Sequence, residues 1–196
     1  CNLECIGCGK IQKPNEILNK NLTIDQCLNA SIECGAPVVS IAGGEPLMHP
    51  YIVEIVEGLI KQKRYIYLCT NALLLKDFFG KLPISPFLTL SIHLDGLEAD
   101  HDRIVDKKGV FKIALEAVQK AKKMGYRVNS ATTFFEGTTV EQAETFLDFL
   151  TPLGLDGVTL SSAFRYPDAP DQEHFFGRKR TQEFFKQLLE KNTKRR

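Results

Sequence analysis

The chain has 196 residues, 43% of them apolar and 25% charged, and a formal net charge of +1. That length supports one domain with a real core, and the ordinary composition excludes a disordered or fibrous chain. The near-zero net charge gives no general attraction to nucleic acid or an anionic surface, and no apolar run approaches the roughly 20 residues of a membrane span.

CNLECIGCGK opens the chain and places Cys1, Cys5 and Cys8 in a C-x3-C-x2-C spacing. Thr23 and Gln26 form a T-x-x-Q capping box, and the helix they start stops at Gly35. VVSIA (38–42) is a short apolar strand broken by Gly43, Gly44, Glu45 and Pro46. Ile52, Ile55, Val56, Leu59 and Ile60 then fall on one helical face. YIYLCT (65–70) is strand, a short helix is predicted over Leu74–Phe79, and FLTLSIHL (87–94) is the next strand, ended by Asp95-Gly96. A helix over Val110–Met124 stops at Gly125, and YRVNSATTFF (126–135) is strand. Thr138 and Glu141 are expected to cap a helix running to about Leu153. GVTLSSA (157–163) is strand, and Arg178–Lys191 is a last amphipathic helix before the basic end KNTKRR, read as a solvated helix end.

Five strands separated by helices build a parallel sheet with right-handed crossovers. A doubly wound open sheet and a β/α barrel both fit. Both put chemistry at the C-terminal ends of strands. GGEP, Thr70-Asn71, His93 with Asp95, Thr132-Thr133 and Ser161-Ser162 all fall there. No internal repeat or second-domain boundary is visible. Residues 1–163 form the core, and 164–196 begin a C-terminal region of the same compact unit.

Six cysteines in a chain with this much core do not read as a disulfide framework, and three of them crowd into eight residues. A reducing, cytoplasmic setting with metal-binding thiolates fits better. A structural zinc site wants four ligands, as does a ferredoxin-type cluster. Cys27 and Cys34 lie in or at the end of a helix, where core packing is the commoner role. Three thiolates on one loop suit a cubane with one iron left open for catalysis.

With GGEP after the next strand, the cysteine triplet resembles the signature of radical S-adenosylmethionine (SAM) enzymes. The resemblance implies a partial (β/α)6 barrel and a [4Fe–4S] cluster held by Cys1, Cys5 and Cys8. It implies SAM on the open iron and an electron donor such as flavodoxin or ferredoxin. The family's first strand precedes its cysteine loop, so one strand is expected ahead of Cys1. By the same resemblance Gly43, Gly44 and Glu45 position the SAM amino group without touching the cluster, and Asn71 faces the SAM site. His93 and Asp95, on one side of their strand by parity, resemble ribose-contacting positions, with an Asp-Gly turn the plainer reading of Asp95. Arg103 could pair with the SAM carboxylate or lie on a helix surface, and Ser161 could touch the adenosine. His49, His101 and His174 read as structural or surface residues.

CGKIQKPNEIL, ECGAPVVSIAGGEPLMHP, YLCTNALLL, SIHLDG and APDQEHFFGR together are similar to the hopanoid-biosynthesis branch of radical SAM enzymes, the adenosylhopane synthases. SSAFRYPD (161–168) departs from that pattern. This resemblance implies addition of a 5′-deoxyadenosyl radical to the alkene of a hopene, an apolar substrate reached by peripheral contact with a membrane. Adding a radical to an alkene leaves a carbon radical that must be quenched. Cys69 shares the parity of Asn71, and a thiol has the weakest X–H bond among side chains, so Cys69 is the candidate hydrogen-atom donor, with a buried small residue as its plainer role. Phe134, Phe135, Phe164, Tyr166, Phe175 and Phe176 form either ordinary core or the wall of an apolar pocket.

Overall fold

The computed structural model describes residues 1–170 and 172–193; Asp171 and the end of the basic tail, 194–196, lie outside the described residues. Five strands form one sheet: β1 (Val38–Ile41), β2 (Tyr65–Thr70), β3 (Leu88–His93), β4 (Arg127–Phe134) and β5 (Gly157–Ser162). Every neighbouring pair is parallel, and the strands lie in the order β1-β2-β3-β4-β5. A doubly wound sheet would reverse direction at a switch point. This sequential order instead winds one way and gives a curled half-barrel. Five of the six expected strands are described; none of the described residues pairs with the outer edge of β1.

The helices are α1 (Asn15–Leu18), α2 (Ile24–Cys34), α3 (Ile52–Lys61), α4 (Glu98–Ile104), α5 (Val110–Met124), α6 (Val140–Leu150) and α7 (Arg178–Thr193). The convex face of the sheet presents Leu68, Leu90, Ile92 and Val128, all fully buried with Val56 and Leu59 of α3, Val118 and Ala121 of α5 and Phe146 of α6. Each such aliphatic removed from water contributes about 1.5–3 kcal/mol. The concave face is polar. Asn129 Nδ2 bridges Ser91 Oγ (3.3 Å) and Thr159 Oγ1 (3.1 Å), Thr133 Oγ1 meets Ser161 Oγ (3.2 Å), and Ser40 Oγ meets Cys69 Sγ (3.4 Å). The period-two alternation of the strands thus separates core from site.

Local signals set most boundaries. Thr23 and Gln26 make the reciprocal capping box of α2, and Gly35 closes that helix in the left-handed conformation, φ 65°. Gly125 does the same for α5. Three expectations need correction. The box of α6 is Thr139 with Gln142, not Thr138 with Glu141; a shift of one residue leaves Val140 to open the buried stripe of the helix. The segment 74–79 holds only a 3-10 turn, Leu75–Asp77, whose Leu75 plugs the core. α4 was not foreseen, because its seven residues are too short for a readable stripe.

A second cluster fastens the C-terminal segment to the barrel. Phe184 of α7 packs at 5.2 Å from both Phe134 and Phe176, and the Phe176 N–H donates to the Ala163 carbonyl (3.0 Å). The six aromatic residues therefore divide between roles: Phe134 and Phe176 are core, and the other four border the central cavity.

Candidate active site

A cavity of about 460 Å³ lies at the C-terminal ends of the strands, lined by Cys1, Cys5 and Cys8, the Gly43–Glu45 turn, Cys69 and Asn71, His93 and Asp95, and Ser161. Of the sequence-predicted site residues, all but Arg103 line it. Arg103 sits on α4 with its side chain 58% exposed and its guanidinium 3.6 Å from Asp100.

The cysteine loop is held by tertiary contacts. Leu3 packs with Val105 and Val110, the Ile6 N–H donates to the Ile104 carbonyl (2.8 Å), and Asn71 Nδ2 donates to Asn2 Oδ1 (2.7 Å). α4, absent from the sequence reading, is thus what anchors the loop. Burial pushes the Cys5 thiol up to about 12, with the nearby Cys8 and Asp95 adding to it, so metal binding at Cys5 must displace a proton. Among the described residues no three His, Cys, Asp or Glu side chains converge on a single metal position, as a lone zinc ion would need. A cubane takes its thiolates on separate irons, and three thiols spaced around one cavity wall fit that group.

The GGEP turn follows β1 and packs against the start of the cysteine loop. A Cβ at Gly44 would stand 2.9 Å from Cys1 Cβ and 3.0 Å from Cys1 N. Gly44 therefore abuts Cys1, the first cysteine of the triplet. Gly43 adopts φ 150°, with open space beside it, and its carbonyl accepts from Lys10 Nζ (2.9 Å).

Glu45 is 6% exposed, and its carboxylate accepts from Thr70 Oγ1 (2.8 Å), the Asn71 N–H (2.8 Å) and the Leu47 N–H (3.0 Å). Burial raises its pKa despite these donors. Glu45 thus ties the β1 turn to the end of β2, and its carboxylate faces protein donors.

His93 Nε2 lies 2.5 Å from Asp95 Oδ2. Burial opposes charge on His93, but the Asp95 carboxylate outweighs it, and the net shift is upward. Asp95 Oδ1 also accepts the Thr133 N–H (2.7 Å), so both of its carboxylate oxygens are engaged within the protein. Beneath them, buried His101 accepts the Asp95 N–H at Nδ1 (3.2 Å). Burial and the neighbouring His93 lower its pKa to about 4, so it is a neutral structural residue. His49 bonds the Leu22 carbonyl, and His174 is partly exposed beside Glu173.

Sequence reasoning missed Asn2 and Lys10 as site-building residues, and it did not place Tyr166 against the cysteine loop. Lys10 adjoins the cysteine motif and was findable there; Tyr166 reaches the loop from 157 residues away, which no local pattern reveals.

Residues 1–150 match the Radical SAM superfamily. The chain is 30% identical over 156 residues to a GTP 3′,8-cyclase of Listeria welshimeri, covering 76% of this chain and 47% of that protein. It is 27% identical over 158 residues to a probable GTP 3′,8-cyclase of Methanococcus maripaludis, covering 79% and 53%. The chain spans about half the length of these curated relatives. Among solved structures, SuiB of Streptococcus suis superposes with a TM-score of 0.80 at 17% identity, over 100% of this chain and 45% of SuiB. A SuiB structure bound to S-adenosylmethionine gives 0.76 at 17% identity, over 100% and 46%. The cysteine triplet, the glycine turn beside it and the half-barrel that holds them place this chain in the radical SAM superfamily, with a [4Fe–4S] cluster and SAM as its cofactors.

Proposed function

We propose that this radical SAM enzyme joins a 5′-deoxyadenosyl group to the alkene of a hopene. The cluster and SAM, when bound, supply the 5′-deoxyadenosyl radical by reductive cleavage. Cys1, Cys5 and Cys8 hold the cluster, the Gly43 carbonyl and His93 face SAM, and Ser161 borders the same space. Asn71 holds Asn2 of the cysteine loop.

The observation that carries the substrate class is the composition of the cavity rim. Phe135, Phe164, Phe175, Ile6, Ile11 and Ile104 border the site, and Phe164 is 69% exposed at its mouth. An exposed aromatic at a cavity mouth suits an apolar ligand. The curated relatives named as GTP 3′,8-cyclases raise a nucleotide as the rival substrate. A triphosphate needs several cations, whereas Lys10 is the one Lys or Arg on this cavity among the described residues. A neutral hydrocarbon fits that lining better.

Cys69 lies on the concave face beside Ser40, in the same cavity as the cluster cysteines. Its thiol gives a hydrogen atom to the carbon radical left on the substrate. The resulting thiyl returns to the thiol with one electron from the external reductant, a flavodoxin or ferredoxin, and one proton from solvent. The setting is reducing and cytoplasmic, with peripheral contact at a membrane; no described helix is long and apolar enough to cross one.

The test is anaerobic turnover with SAM and dithionite, with diploptene in one arm and GTP in the other. A saturated adenosyl–hopane adduct is expected in the first arm, and Cys69→Ala should still form the carbon–carbon bond while losing most of the saturated product. Turnover of GTP without any diploptene adduct would overturn the assignment.

A further inference from the structure

The C-terminal segment closes on the cysteine loop at both sides of Cys8. The Gly9 N–H donates to Tyr166 Oη at 2.7 Å, and the same hydroxyl lies 3.4 Å from the Gly7 carbonyl, to which it donates. One side chain therefore engages both backbone groups that flank Cys8. The ring is fixed by stacking on Phe175, with centroids 6.3 Å apart and planes at 26°. Phe175 fills the space beside Gly7, where any Cβ would collide with its ring. A Cβ at Gly9 would stand 2.5 Å from the Asp168 carbonyl oxygen and 2.7 Å from Tyr166 Cε2. Lys13 pairs with Asp168 at 2.8 Å just beyond. Close approach here demands glycine at both positions.

Backbone N–H groups in cysteine loops are natural donors to cysteine and cluster sulfurs. Each such bond favours the reduced, more negative cluster and raises its reduction potential, as does water at the sulfurs. A cluster that must pass an electron to a sulfonium needs a low potential. We propose that Tyr166 is a positioning residue that withholds the Gly9 N–H from the sulfurs around Cys8, shields that side from water, and so holds the bound cluster at low potential.

Tyr166→Phe tests this, because it keeps the ring and its stacking and removes only the hydroxyl. The reconstituted protein would be titrated anaerobically, with the reduced cluster followed by electron paramagnetic resonance and without SAM or substrate, so that the result does not depend on which molecule is adenosylated. The expected result is an unchanged iron content and a positive midpoint shift. A tenfold rise in the reduced-to-oxidised ratio at fixed poise corresponds to about 59 mV for one electron. Lys13→Met, which breaks the neighbouring ion pair and leaves the hydroxyl in place, should keep the wild-type midpoint. Should Tyr166→Phe lose iron, 3-fluorotyrosine at position 166 keeps the hydroxyl as a poorer acceptor, and a smaller positive shift is expected. An unchanged midpoint in whichever Tyr166 variant retains its iron, or an equal shift in Lys13→Met, overturns the proposal.

Discussion

Removing the carboxylate of Glu45 should cost the fold more than any direct contact with a ligand would explain. Glu45→Ala strands two backbone N–H groups, those of Leu47 and Asn71, and frees the Thr70 hydroxyl, all in a buried setting. A stranded buried donor costs about 1–3 kcal/mol, and the hydroxyl can turn elsewhere, so the total is about 2–6 kcal/mol. Against the 5–15 kcal/mol that typically holds a domain, that is a large share. Glu45→Gln keeps the shape and one acceptor oxygen. Because burial already opposes the charged form, it should lose only about 1–3 kcal/mol. Urea unfolding of the cluster-free proteins, followed by circular dichroism, measures both. A loss below about 1 kcal/mol in Glu45→Ala would refute the bracing role and return Glu45 to direct ligand contact.

Three further outcomes follow from the same site. Gly44→Val should lower iron and sulfide content, since its side chain meets Cys1, whereas Gly43→Ala faces open space but a left-handed φ and should weaken SAM binding while iron content holds; equilibrium dialysis with iron analysis separates the two. His101 has a folded pKa of about 4 against about 6.5 unfolded, so the unfolded chain binds the extra proton between those values. Its contribution is present above about pH 6.5 and is lost as pH falls toward about 4, by up to about 3 kcal/mol, and His101→Gln should flatten that part of the stability profile.

The elements that sequence made legible are those with local causes. Capping residues, Gly35 and Gly125, and the apolar stripes of α3 and α5 carry their own signals, and the residues picked out at strand ends border one cavity. The cysteine triplet was readable because three thiols share one loop. What failed was tertiary. The spacing around Arg103 allowed a ligand contact, but the turn of α4 directs its guanidinium toward solvent and Asp100. Parity placed His93 and Asp95 on one side of β3, yet could not show that Asp95 is spent on His93 and the Thr133 N–H. Nothing in the sequence reveals that Cys1 packs against Gly44. Tyr166 lay in the stretch that departed from the family pattern, and only the closed half-barrel brings it to Gly9.

The most direct test of the account is the iron content and 5′-deoxyadenosine yield of six single Cys→Ala variants, each reconstituted with iron and sulfide and treated with dithionite and SAM. The account predicts that loss of Cys1, Cys5 or Cys8 abolishes both, that loss of Cys27 or Cys34 changes neither, and that loss of Cys69 leaves iron content and SAM cleavage intact. Loss of the cluster in a folded Cys27→Ala or Cys34→Ala protein, or its retention with active cleavage in Cys5→Ala, would contradict it.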